Sequence, residues 1–366
     1  MDAKTLQLPP YLKALAVLAL LIILVFLLVV GKAILIPLAL GGFFAVLFTP
    51  LSLFLERHRF PRALSCTFSL ILMITITAGL LSFIVVNLIG FSNDFADVSS
   101  RINTLTTEID TWTAATLGIQ SKLTDQLDTA ALYNLLNRNS SSLSTFAINA
   151  IGSLSSLILI PIFMFFFLLY RDHLANVMVN LYPTTKAEEV KQKIGSLRKV
   201  VLNYVTGVGK VMVILAVLNI SAYSIIGVKH AVFFGLIGAV LNIIPYIGPF
   251  IGALLPTAYA ALTMDSLLPS VLIFACYQVI QVLEGNFLTP KIVGGQVNLN
   301  AFVTFLGLLL GASIWGVAGM ILIIPILAIL REIFDLSDST KPYALLLGEE
   351  VLAKTPKPTQ DEKSDQ

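Results

Sequence analysis

One carboxylate near the end of a long apolar run is the side chain with the most chemistry to offer in this 366-residue chain. Glu284 follows LPSVLIFACYQVIQVL, and Tyr277, Gln281, Glu284 and Leu288 fall at i, i+4, i+7 and i+11, one face of a helix, with Gln278 flanking it. A carboxylate at membrane depth costs about 2.5–3.5 kcal/mol or more unless it is paired, hydrated or protonated. Such a group can bind a cation or exchange protons. A plainer reading leaves Glu284 at the membrane surface, capping the turn EGNFLTPKIVG and paired with Lys291.

Two backbone interruptions lie close to this face in sequence. Between Asn242 and Gly252 the chain reads NIIPYIGPFIG, so Pro245, Gly248, Pro249 and Gly252 interrupt an otherwise apolar helix. In hydrocarbon an unwound backbone survives only where protein covers it or water lines it. Gly285, Asn286, Pro290, Gly294 and Gly295 mark 285–295 as a second break, or as a simple turn outside the membrane. The set expected to act on a passenger or ion is Glu284, Gln278, Gln281, Asn286 and Asn242. Pro245, Gly248, Pro249, Gly252 and Pro290 are the expected hinge residues. Gly307-x-x-x-Gly311, Ala312-x-x-x-Gly316 and Gly248-x-x-x-Gly252 would let helices approach closely.

Other chemistries find little support. His58, His173 and His230 are scattered and form no zinc motif. No P-loop and no nucleophile elbow appear. Asp172 beside Arg171 reads as an ion-paired helix end, and Cys66 and Cys276 as reduced thiols among helices. Without a basic tract interleaved with aromatics, nucleic acid is not an expected partner. An enzyme, a metal site and a cofactor are not expected.

The elements that must position these residues follow from composition. Hydrophobic residues make up 57% of the chain and charged ones 12%, with a mean hydropathy of +0.90. That defines an all-α, polytopic transmembrane helical bundle. Eight spans are expected, at about 11–30, 33–55, 63–90, 148–170, 206–227, 230–263, 267–289 and 299–330. The sixth is long enough to be either a kinked span or a re-entrant hairpin. Arg57, Arg59 and Arg62 follow span two, and Arg171, Lys186, Lys191, Lys193, Arg198 and Lys199 follow span four. Positive-inside then places both termini in the cytoplasm and the more acidic 91–147 outside.

The chain thus divides into spans one to three (1–90), an extracytoplasmic helical segment (91–147), span four (148–170), cytoplasmic interfacial helices (171–205), a transport core (206–331) and a partly disordered tail (332–366). Within the outer segment Phe91, Phe95, Val98, Ile102, Leu105, Ile109 and Trp112 form a heptad seam, paired either within the chain or between subunits. On the inner side Val190, Ile194, Leu197 and Val201 line one face of a helix, with lipid headgroups or the chain's own spans as partner.

Five ordered segments resemble the AI-2E family of bacterial membrane proteins, also described as autoinducer-2 exporters or PerM-type permeases. They are FLERHRFPR at 54–62, FFLLYRDH at 166–173, NIIPYIGPFIGALLP at 242–256, LEGNFLTPKIVGG at 283–295 and WGVAGMILIIP at 315–325. The resemblance spans most of residues 10–331. It implies a secondary transporter of the inner membrane that self-associates. Its passenger would be a small polar metabolite such as autoinducer-2, or sodium exchanged for protons. It also implies a working centre of Asn242, Pro245, Gly248, Pro249, Glu284, Asn286 and Pro290. Where family members often have a proline after a Leu-His pair, this chain has Leu299-Asn300-Ala301. An oligomeric membrane scaffold built on the 91–112 seam is the rival reading from another class.

Overall fold

In hydrocarbon every backbone N–H and C=O needs a partner within the chain, and a helix supplies one locally. The structure, a computed structural model, describes residues 9–94, 154–180, 187–293, 299–335 and 339–348, with scattered helical positions between 104 and 116. Among these residues no strand forms; only Leu299 and Gly348 meet in an isolated bridge. The helices are α1 (Pro10–Val30), α2 (Lys32–Arg57), α3 (Arg62–Asp94), α4 (Leu154–Leu169), α5 (Arg171–Asn180) and α6 (Ala187–Ile226). After them come α7 (Ala231–Leu241), α8 (Ile247–Thr263), α9 (Leu268–Leu283), a π-helical turn (Glu284–Leu288), α10 (Thr289–Ile292), α11 (Ala301–Phe334) and α12 (Lys341–Leu347).

The architecture is a polytopic helical bundle. Among the described residues six helices have the length and apolarity for a crossing, and α4 with α5, bent by 69°, makes a seventh candidate. No residue in the crossing-length part of α1 is fully buried in the chain, as suits a helix largely bathed in lipid. α2, α3 and α4 share a core of Ala45, Cys66, Met73, Met164 and Leu168. Gly41 permits this contact, since a methyl there would sit 2.6 Å from Phe163 Cβ. α6 carries the other half, packing α7 and α9 around Val211, Leu215, Ala239 and Ile280.

One expected span takes the second of its two readings, and another is corrected. Residues 230–263 form a hairpin of α7 and α8, not a kinked crossing. A methyl on Gly248 would lie 1.8 Å from Leu241 O, and Gly252 faces Gly238. Further out, His230 and Tyr259 bring their rings to 5.6 Å. At 11 residues, α7 is about 16 Å long, near half of a hydrocarbon core of roughly 30 Å.

Residues 299–330 were expected to be one span, but α11 also folds back on itself. Gly316 adopts φ 61°, ψ −136°, a conformation that glycine adopts without strain, and reverses the chain. Gly311 then meets Gly319, and Gly307 meets Ile323 and Leu327. Thirty-four residues would in any case extend about 51 Å, too far for one crossing.

The hairpins point in opposite directions. The first has its base beside Asp94 and its tip against the base of the second, where Tyr246 and Phe305 rings lie 6.0 Å apart. Trp315, at the second tip, donates its indole N–H to Leu28 O at the end of α1.

Other regions differ from expectation or lie outside the described residues. The interfacial helices at 171–205 resolve into α5 and the leading part of α6, which runs unbroken for 40 residues because no proline interrupts Ala187–Ile226. Val201 is buried, while the side chains of Val190, Ile194 and Leu197 lie outside the described set. So do most of the 91–112 seam, the segment 117–153, Gly294 and Gly295, and the tail beyond 348.

Gly319→Ala drives a methyl to 1.9 Å from Gly311 O and is expected to cost about 1–3 kcal/mol. Gly79→Ala, with nothing within 4 Å of the added methyl, should not lower stability. Melting temperatures of the purified proteins in detergent separate the two.

Candidate transport site

The tip of the first hairpin is the least regular backbone in the described core. Asn242 to Tyr246 link α7 to α8 by turns, and Tyr246 sits at φ 64°, a strained value for a side-chain-bearing residue. Pro249 occupies the first turn of α8, where its missing N–H costs nothing. Gly252 is pressed on Tyr277, whose hydroxyl would be 2.5 Å from an added methyl.

Gln281 ties this tip to α9. Its Nε2 donates to Asn242 Oδ1 at 3.2 Å and to Tyr277 Oη at 2.8 Å. Tyr277 is 1% exposed, so the network joins the tip to the core. The expected face of Tyr277, Gln281 and Glu284 therefore points inward. Gln278 is exposed on the outer surface of α9, apart from the others.

Over the described residues 284–292 the second expected break is not a break. From Glu284 to Leu288 the helix widens into a π-turn, with Thr289 N–H bonding Glu284 O, and continues to Ile292. The extra residue per turn keeps the backbone paired while Pro290, at the start of α10, withholds its N–H. Glu284 Oε1 accepts a hydrogen bond from Thr289 Oγ1, so its partner is this threonine and not Lys291. Asn286 is exposed and turns its amide back to Val282 O at 2.9 Å; Pro290 is exposed as well.

A cavity of about 330 Å³ opens between these parts. Asn242, Ile243 and Pro245 line it from the hairpin tip, Glu284 and Thr289 from the π-turn, and Tyr204 and Val208 from α6. Leu299, Thr304 and Ile324 contribute from the base of the second hairpin. Asn300 organises that base by capping α11: its Oδ1 accepts from Phe302 N–H at 2.9 Å. Of the expected residues, Asn242, Pro245 and Glu284 reach the cavity and Gln281 braces it. Gly248 and Gly252 allow the hairpin to close behind it. Thr289, Tyr204 and Thr304 were not legible: a π-turn pairs i with i+5, outside helical spacing, and the other two arrive from distant elements.

At the far end of the bundle two of the quoted segments meet. Arg62 donates to Asp172 at 2.7 Å and to Leu168 O at 3.3 Å, while Arg171 pairs with Glu56 at 2.5 Å and reaches Ser52. Asp172 is thus an ion-paired helix end, joining α3 to α5. Cys66 is a buried free thiol beside Ser52, and Cys276 is free and half-buried.

Oppositely directed hairpins around a cavity that holds a carboxylate, inside an apolar helical bundle, place the protein in the class of multi-pass membrane transport proteins. More narrowly, the chain belongs to the AI-2E transporter family, whose model matches residues 17–338. It is 27% identical over 312 residues to the putative transport protein YueF of Bacillus subtilis, covering 81% of this chain and 82% of that one. It is 25% identical over 321 residues to the AI-2 transport protein TqsA of Escherichia coli, covering 86% and 90%. A shorter stretch of 129 residues is 36% identical to the putative transport protein YrrI of Bacillus subtilis, about a third of each chain.

Gln281→Leu strands Asn242 Oδ1 and Tyr277 Oη and is expected to cost about 1–3 kcal/mol. Gln278→Leu, on the outer surface, should leave the melting temperature in detergent unchanged.

Proposed function

We propose that this transporter carries a small polar solute through the cavity formed by Asn242, Glu284 and Thr289, with autoinducer-2 as the first candidate passenger. The observation that carries the reading is a carboxylate and a hairpin tip opening onto one 330 Å³ cavity in an otherwise apolar bundle. Asn242 and Thr289 hydrogen-bond the passenger, and Glu284 binds the coupling proton or sodium ion. The name of TqsA, the AI-2 transport protein at 25% identity, supports autoinducer-2 as passenger. Arg57, Arg59 and Arg62, at the same end of the bundle as Arg171, support an inner-membrane orientation with that end and both termini in the cytoplasm. The exposed face of α1 is available to lipid or to a second copy of the chain in a homo-oligomer.

Purified protein in liposomes, given imposed proton and sodium gradients and a solute panel beginning with autoinducer-2, tests this. Glu284→Gln is expected to lower gradient-driven flux about tenfold or more per folded molecule, since only the ionisable form binds the coupling ion. Equal flux in the variant removes Glu284 from the mechanism. Cation-dependent pH changes without solute flux would replace solute export with sodium/proton antiport.

A further inference from the structure

The first hairpin separates the solute cavity from a second cavity of about 320 Å³ bounded by Asp94, Lys229, Tyr259 and Thr263. Asp94 ends α3, and its side chain is 9% exposed. One carboxylate oxygen takes the Lys229 ammonium; the other takes His230 Nε2 at 2.7 Å and the Tyr259 hydroxyl at 2.9 Å. Lys229 and His230 lead into α7, and Tyr259 stands one turn before the end of α8. A single acid on a third helix therefore grips the outer ends of both hairpin arms. These are the charged and titratable groups that face it from the described elements.

Beneath this grip the seam is closely packed. Tyr223 and Ala260 are fully buried, and Phe234 packs on Tyr259 at 4.9 Å. Two polar atoms in the seam, Tyr223 Oη and Asn219 Oδ1, are buried without a hydrogen-bond partner. Asn219 faces Tyr277 across Gly238, so the unpaired atoms lead toward the network that bounds the solute cavity. Unpaired buried polar groups are costly while sealed, and water entering along the seam would satisfy them.

We propose that Asp94 is a positioning residue that latches the first hairpin to α3 and so shuts the seam between the solute cavity and the second cavity. The proposal rests on reading the first cavity as the solute site. With three donors in place the latch holds at neutral pH. Burial raises the Asp94 carboxyl, but hydrogen bonds from Lys229, His230 and Tyr259 and the Lys229 charge bring it below its ordinary value. A lowered carboxyl stabilises the closed form fully above its unfolded value of about 3.9 and loses that effect as pH falls through the folded value.

The test uses full-length protein in liposomes with Cys66 and Cys276 changed to Ala and a reporter thiol at Ala260→Cys, a position with 0% exposure. Labelling by a membrane-impermeant thiol reagent is expected to rise about tenfold in Asp94→Asn, with Asp94→Glu nearer the parent. If Asp94→Asn fails to fold, Tyr259→Phe, which removes one bond, should raise labelling about threefold. Unchanged labelling in the folded variants overturns the latch. So does an equal rise at a Met164→Cys reporter in the separate α2–α4 core, which would mean general loosening. The readout needs no solute, so a failed latch leaves the Glu284 cavity standing, and a failed Glu284 test leaves the labelling result intact.

Discussion

Turning a helix around inside hydrocarbon is the constraint on which the rest of this protein depends. Each reversal frees backbone groups that lipid cannot satisfy, and the chain must find them partners or water. At the first reversal the arms are brought so close by Gly248 and Gly252 that side chains are excluded between them, and Asn242 is held by Gln281 from a neighbouring helix. At the second, Gly316 supplies the backbone conformation and Gly311 and Gly319 supply the contact. The cavity lined by Asn242 and Glu284 is what remains at the level where the first reversal ends and the second hairpin begins.

The π-turn at Glu284–Leu288 answers the same constraint differently. A proline in a spanning helix would leave a carbonyl unpaired, yet here one extra residue in the turn lets the ladder resume at Thr289. The detour places the Thr289 hydroxyl on the Glu284 carboxylate and aims both into the cavity. Polar groups that would be a liability in lipid are thereby gathered on the wall of one cavity.

Ion pairs hold both ends of the bundle, and they do so across long sequence distances. Arg62 and Asp172 are 110 residues apart, and Asp94 and Lys229 are 135 apart. At one end the pairs join helices of the α2–α4 core to α5. At the other, Asp94 joins that core to the first hairpin. The hairpin is therefore strained and polar at its tip, packed by glycine along its length and anchored by charge at its base.

The amino-acid sequence alone determined that this is an apolar helical bundle, because composition and run length decide partition into lipid before any packing occurs. It also marked the Tyr277–Gln281–Glu284 face, since helical periodicity fixes which side chains share a side. The Asn242–Gly252 interruption was equally visible, because proline and glycine act on the local backbone. Those same residues say where a helix stops and leave open which way the chain goes next. Whether 230–263 and 301–334 kink onward or fold back was decided by long-range contacts: Gly252 on Tyr277, Gly311 on Gly319, Asp94 on both arms of the first hairpin. Gln278 and Asn286 looked eligible for the site by type and position, yet packing turned them outward, while Thr289 and Tyr204 entered it from spacings no local pattern reveals. Local chemistry fixes elements; only the meeting of distant surfaces fixes what they enclose.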